Sequence, residues 1–156
     1  MTSGSSEEPD PLLIRLLRTA ERVYVEAIRG ALADGGFDDV PPAGIRVIVG
    51  LARGGSSVRD LGRALGVTSQ AASQLADTLA ARGCVERTPD LLDRRRTNLT
   101  LTERGRQAAG AIGGAVRSVD EELEANTTSQ ELAGLRVGLQ SLIRIGQERR
   151  AERTGT

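Results

Sequence analysis

Between residues 57 and 105 the helical pattern of this chain is stopped twice by glycine and then gives way to a strand pattern. Ser57 is a good N-cap for a short helix, with Asp60 as the acid three residues on. Val58, Leu61, Ala64 and Leu65 are its inward residues. Gly66 breaks it, Val67 packs the turn, and Thr68 caps the next helix. In that helix Ala72, Leu75, Ala76 and Leu79 fall at i, i+3, i+4 and i+7, one buried stripe. Gly83 ends it as a C′ residue. Cys84-Val85-Glu86-Arg87-Thr88 then reads as a strand and Thr97-Asn98-Leu99-Thr100-Leu101 as its partner, joined by a loop with an arginine-rich tip. Helix, glycine turn and helix in so tight a space is a helix-turn-helix arrangement. The hairpin behind it makes the expected fold a winged helix-turn-helix that binds duplex DNA.

The flanks supply long helices. Asp10-Pro11 opens the first, with Leu13, Leu16, Leu17, Ala20, Val23, Ala27, Ile28 and Ala31 at helical spacing and Gly35-Gly36 as the stop. Pro41-Pro42 starts a second, with Ile45, Ile48, Val49 and Leu51 turned inward and Arg53-Gly54-Gly55 ending it. Thr102 caps a fifth, whose stripe is Ala108, Ala109, Ile112, Ala115, Val116, Val119 and Leu123. Gly110, Gly113 and Gly114 inside it, at about 1 kcal/mol each relative to Ala, allow a bend or a close subunit contact, and the chain's general richness in Gly explains them nearly as well. Asn126 to Ser129 is a break, and Thr128 with Glu131 forms a capping box for a sixth helix. Leu132, Leu135, Leu139, Leu142, Ile143 and Gly146 line one face of it. The class is therefore mostly α with a small β-wing: six helices and a β-hairpin in an intertwined homodimer. Residues 1–9 are expected to be a disordered tail and 150–156 a frayed one. One domain spans 10–149, with 10–34 and 106–149 as dimerisation helices and 40–105 as the DNA-binding lobe.

Composition narrows the chemistry. The chain has no His and one Cys, which removes His-based triads, the usual zinc sites and internal disulfides. No metal or cofactor is expected, and no enzyme. Cys84 reads as a small buried hydrophobe, with a redox role as the competing reading. No apolar run approaches the roughly 20 residues that span a bilayer, and the N-terminus lacks a basic region, so a cytoplasmic protein without membrane contact is expected. Net charge is zero, but it is unevenly placed. Residues 53–106 hold ten Arg against six acids, whereas 1–52 hold five against eight and 107–156 six against seven. A basic middle between acidic flanks is a localised electrostatic footprint.

The major groove admits one α-helix, and the N-terminal half of that helix meets base edges. Gln pairs with adenine, and Ser donates or accepts. Ser69, Gln70, Ser73 and Gln74 on the outer face thus have suitable chemistry, although each also fits a solvated surface residue. The tip Asp93-Arg94-Arg95-Arg96 suits an adjacent minor groove, where Arg is favoured. A solvated charge run fits Arg94 and Arg96 as well. Arg63, Arg82 and Arg87 are each either phosphate contacts or surface ion-pair partners.

The run from Asp93 through Arg94-Arg95-Arg96-Thr97-Asn98-Leu99-Thr100 to Leu101-Thr102-Glu103-Arg104-Gly105 resembles the D-x-R-R…L-T-x-x-G wing signature of MarR-type transcriptional regulators. The preceding VTSQAASQLADTLAARGCVER is similar to that family's recognition helix and its exit into the wing. The resemblance covers residues 11–149. It implies a homodimer, a palindromic double-stranded DNA operator, and repression relieved by a small-molecule effector or an oxidant. It carries DNA contact onto Thr68, Ser69, Gln70 and Ser73, with Arg95 in the minor groove and Asp93 orienting it. Two departures stand out. Many relatives are basic near Ser69 or Gln74, which are neutral here, and the first helix lacks the cysteine of oxidant-sensing members. Effector liners are unspecified, with Tyr24, Arg22, Arg29, Arg46 and Arg53 as candidates that also fit plain surface residues. The competing functions are an effector-independent DNA-binding winged-helix factor and a helical protein-interaction module.

Overall fold

The structure is a computed structural model that describes residues 12–54, 57–89 and 97–154. Its elements are α1 (Leu12–Asp34), α2 (Pro42–Ala52), α3 (Val58–Leu65), α4 (Ser69–Ala81), β1 (Val85–Pro89), β2 (Thr97–Leu101), α5 (Glu103–Ala125) and α6 (Ser129–Thr154). All six expected helices and the hairpin are present: a mostly helical fold with a small antiparallel wing. Contacts divide the chain into two units, 1–117 and 118–156.

The first unit holds the core. Val47 and Ile48 of α2, Leu79 of α4, Cys84 and Leu99 of β2 are its largest fully buried side chains. Around them close Leu32, Phe37, Val40, Leu61, Ala76, Val85, Ala108 and Ile112. Leu, Val, Ile and Ala do nearly all of this packing, as a chain with one Phe and one Tyr requires. Helix α4 packs on α2, α3 and β1, and its under-face of Ala72, Ala76 and Leu79 is wholly buried.

Two glycine stops shape the helix-turn-helix. Gly66 and Gly83 sit at φ 67° and 66°, a region costly for any residue with a Cβ. After α4 the Gly83 N–H donates to the Ala80 carbonyl (2.9 Å) and the Cys84 N–H to that of Leu79 (2.9 Å), a Schellman stop. After α3 the Gly66 and Val67 N–H groups do the same to Arg63 and Gly62 (3.3 and 3.0 Å). The Schellman pair uses the Cys84 amide, so Cys84 ends the helix and the strand starts one residue later than its sequence pattern suggests. β1 and β2 are in register from Val85 opposite Leu101 to Pro89 opposite Thr97. The sequence pattern missed a further bridge, Ser57 to Asn98, which ties the residue before α3 to β2.

The wing's return into α5 is the tightest corner. Thr102 N–H donates to the Cys84 carbonyl (3.1 Å) and its hydroxyl to the Gly83 carbonyl, while Gly105 N–H donates to Thr102 Oγ1 (3.1 Å). Thr102 is thus a true N-cap, as expected. A Cβ on Gly105 would lie 1.9 Å from the Cys84 carbonyl oxygen. Only hydrogen fits there, which is the physical content of the L-T-x-x-G spacing.

The second unit comprises the last turns of α5 and all of α6. At its turn the Thr128 backbone N–H and hydroxyl both donate to Glu131 Oε2 (2.8 and 2.7 Å), and the Glu131 N–H donates back to Thr128 Oγ1 (3.3 Å). The expected capping box is therefore formed, and it holds the Glu131 carboxyl below its usual pKa. Residues 150–154, in the expected frayed tail, are placed as a continuation of α6. Gln147, Glu148, Arg149, Arg150, Ala151, Glu152 and Arg153 are all strong helix formers, and polarity alone does not unwind such a run. The expected disordered tail, 1–9, lies outside the described residues. Helix α5 is unbroken through Gly110, Gly113 and Gly114.

These two kinds of glycine separate in a melting experiment. Gly105→Ala is expected to lose about 1–3 kcal/mol or more, because backbone cannot yield as a side chain does. Gly110→Ala, with no atom within 4 Å of the added methyl, is expected to gain about 0.5–1 kcal/mol. Equal melting temperatures for the two variants would refute the account of the corner.

Candidate nucleic-acid interface

Helix α4 presents its polar side because its apolar side is wholly committed to the core. Thr68 is the N-cap, in extended backbone at φ −65° and ψ 156°, and its Oγ1 accepts from the Ala71 N–H (3.2 Å). Thr68, Ser69, Gln70 and Gln74 are exposed, and Ser73 is half-buried. The five residues expected at base edges therefore lie along the first two turns of one anchored helix.

Ser73 differs from its neighbours. Arg87, reaching from β1, donates through Nη2 to the Ser73 carbonyl and to Ser73 Oγ, both at 3.0 Å. The same nitrogen pairs with Asp77 at 2.9 Å. Asp77 is the single charged residue within α4, so this pair leaves the helix face without an unmatched charge. Of the two sequence readings of Arg87, the ion pair is the one formed. The clamp was missed in sequence, although its parts had a signal: Ser73 and Asp77 are four apart on one face, and Arg87 lies just beyond the helix stop. Arg63 is exposed in the last turn of α3, and Arg82 is the half-buried C-cap of α4.

Two anchors hold the wing beside α4: the corner at Thr102 and the Ser57 bridge. On its strands Thr100 Oγ1 donates to Glu86 Oε1 (3.1 Å). The tip residues Asp93, Arg94, Arg95 and Arg96 lie outside the described residues.

Cys84 is fully buried. Burial pushes its thiol up in pKa, outweighing the opposing pull of the Arg104 and Arg82 charges. It behaves as the small buried hydrophobe of the first sequence reading. Of the candidate effector liners, Arg22, Arg29, Arg46 and Arg53 are exposed and Tyr24 is half-buried. Arg29 borders a groove of about 320 Å³, which it lines with Leu32, Ala33, Phe37, Asp38, Val40, Pro42 and Ile45.

The model of the MarR family matches residues 38–96. Among solved structures the chain is similar to apo MarR from E. coli, at 25% identity and a TM-score of 0.64, covering 86% of this chain and 98% of that one. It is also similar to FabT from Streptococcus pneumoniae in complex with DNA, at 20% identity and a TM-score of 0.79, covering 88% and 96%. RV1404 from Mycobacterium tuberculosis matches at 23% identity and a TM-score of 0.73, covering 92% and 99%. No curated protein matches the sequence.

The buried thiol gives a direct check on the site's rigidity. Cys84 is expected to resist a disulfide-exchange reagent in the native protein at neutral pH and to react fully in denaturant. Rapid native labelling would mean that the corner between α4 and β1 opens readily.

Proposed function

We propose that this chain, a MarR-type winged-helix protein, is a homodimeric transcriptional repressor that binds a palindromic DNA operator and is released by a small-molecule effector. MarR-family proteins are DNA-binding transcription regulators, not enzymes. The observation that carries the reading is the exposed polar face of α4, fixed on a fully buried under-face and followed by a hairpin with three consecutive arginines. In this reading Thr68, Ser69, Gln70, Ser73 and Gln74 enter the major groove. Asp93, Arg94, Arg95 and Arg96 serve the flanking minor groove, with Arg95 inserted and Asp93 orienting it. Residues 40–105 form the DNA-binding lobe, 10–34 and 106–149 the dimerisation helices, and the protein works in the cytoplasm. Among the described residues no helix is long and apolar enough to cross a membrane.

The dimer is supported by exposed apolar side chains on the terminal helices. On α1 these are Leu12, Leu13, Ile14, Leu16 and Val23, and on α6 Leu135, Val137, Leu142, Ile143 and Ile145, each 42–62% exposed. Such surface in a soluble chain marks an interaction site. A second copy satisfies it with the two-fold symmetry that a palindromic site needs, placing two recognition helices about 34 Å apart. An effector acts by binding one spacing of those helices better than the other.

In vitro selection from a random duplex pool is expected to return an inverted repeat. Its affinity should fall steeply with salt, as counterion release requires. Arg95→Ala should weaken binding and flatten the salt slope by about one. Gln70→Ala should relax preference at one base position, at a cost of about 1–3 kcal/mol. Absence of any enriched duplex would overturn the reading. In solution, light scattering is expected to give a dimer at micromolar concentration, and Leu16→Glu a monomer. A wild-type monomer would remove the two-fold premise.

A further inference from the structure

Arg104 breaks a local rule. It occupies the second position of α5, where the positive end of the helix dipole disfavours a cation. What it gains lies outside its own helix. Its Nε donates to the carbonyl of Arg82, the C-cap of α4, at 3.1 Å. Its Nη2 donates to the Gly36 carbonyl at 3.1 Å and pairs with Asp39 at 2.7 Å, both in the turn between α1 and α2. The guanidinium also lies 5.0 Å from the centre of the buried Phe37 ring. One planar fork thus joins three pieces of the first unit: the end of α4, the α1–α2 turn and the start of α5. The carbonyl it meets on α4 is one of those that a helix end leaves without an intrahelical partner. A cation there also complements that helix's negative end.

We propose that Arg104, backed by Asp39, is the positioning residue of the recognition helix. This rests on the DNA-binding reading above. Thr68 and Arg87 fix the start and middle of α4; Arg104 fixes its end to the α1–α2 turn. It touches no DNA in this account. It sets the angle at which the polar face meets base edges, so its loss costs sequence discrimination rather than attraction to phosphate. A lysine cannot replace it, because a point charge on a flexible stem does not reach several acceptors in one plane.

The test measures specific and non-specific DNA binding, each across a salt series. The probes are the duplex selected by the wild-type protein and a scrambled duplex of equal length. The variants are Arg104→Gln, Arg104→Lys and Asp39→Asn, assayed well below their melting temperatures. Each variant is expected to lose about fivefold or more in affinity for the selected duplex, comparable to one mismatched base pair. Binding to the scrambled duplex and both salt slopes should stay unchanged. Asp39→Asn is the sharpest case. Removing an acid from a DNA-binding lobe tightens binding if charge alone matters, and weakens specific binding if position matters. Retained affinity in Arg104→Lys with a flattened slope in Arg104→Gln would make Arg104 a phosphate contact and overturn the proposal. A parallel loss on both duplexes would reduce it to a stability residue and overturn it equally. A wild-type protein that selects no duplex would instead remove the DNA-binding reading itself.

Discussion

The closeness of Gly105 to the carbonyl of Cys84 is the constraint on which the lobe depends. A peptide carbonyl fills the space that a Cβ would need. That contact brings the start of α5 against the point where α4 stops and β1 begins. Thr102 completes it by accepting from the Gly105 amide while donating to the Gly83 carbonyl. The wing therefore leaves and re-enters the lobe at one place, and whatever its tip does, its base is held relative to α4. The Cys84 side chain belongs to the same core as Leu79 and Leu99, and all three are fully buried.

Much of this was legible in the sequence, because the stops and caps are local chemistry. Gly66, Gly83, Thr68, Thr102 and the Thr128–Glu131 box each act within a few residues, so their effect is written beside them. The exposed face of α4 followed from the periodicity of Ala72, Leu75, Ala76 and Leu79. The long-range partners were not legible. Asp39 and Arg104 are 65 residues apart, and nothing near either one names the other. The Ser57–Asn98 bridge is hidden for the same reason.

The candidate site divides along the same line. The residue types on α4 and the basic hairpin were visible as composition on a face. That Arg87 would settle on Ser73 and Asp77 was not, since an arginine past a helix stop has equal access to solvent. The structure turns Ser73 from one polar residue among five into the one held by a neighbouring strand.

The Arg87–Asp77 pair has a further consequence if the lobe binds DNA. It renders the recognition helix electrically neutral, so that helix contributes little to the long-range pull toward a polyanion. Capture and reading are then assigned to different elements. Arginines elsewhere, the wing tip foremost, would set how fast the protein finds a duplex and how freely it slides. The helix would act only at contact range, through hydroxyls and amides, and would govern how long the protein stays. Ionic strength would tune the search, and base sequence the dwell time, with little crosstalk between them.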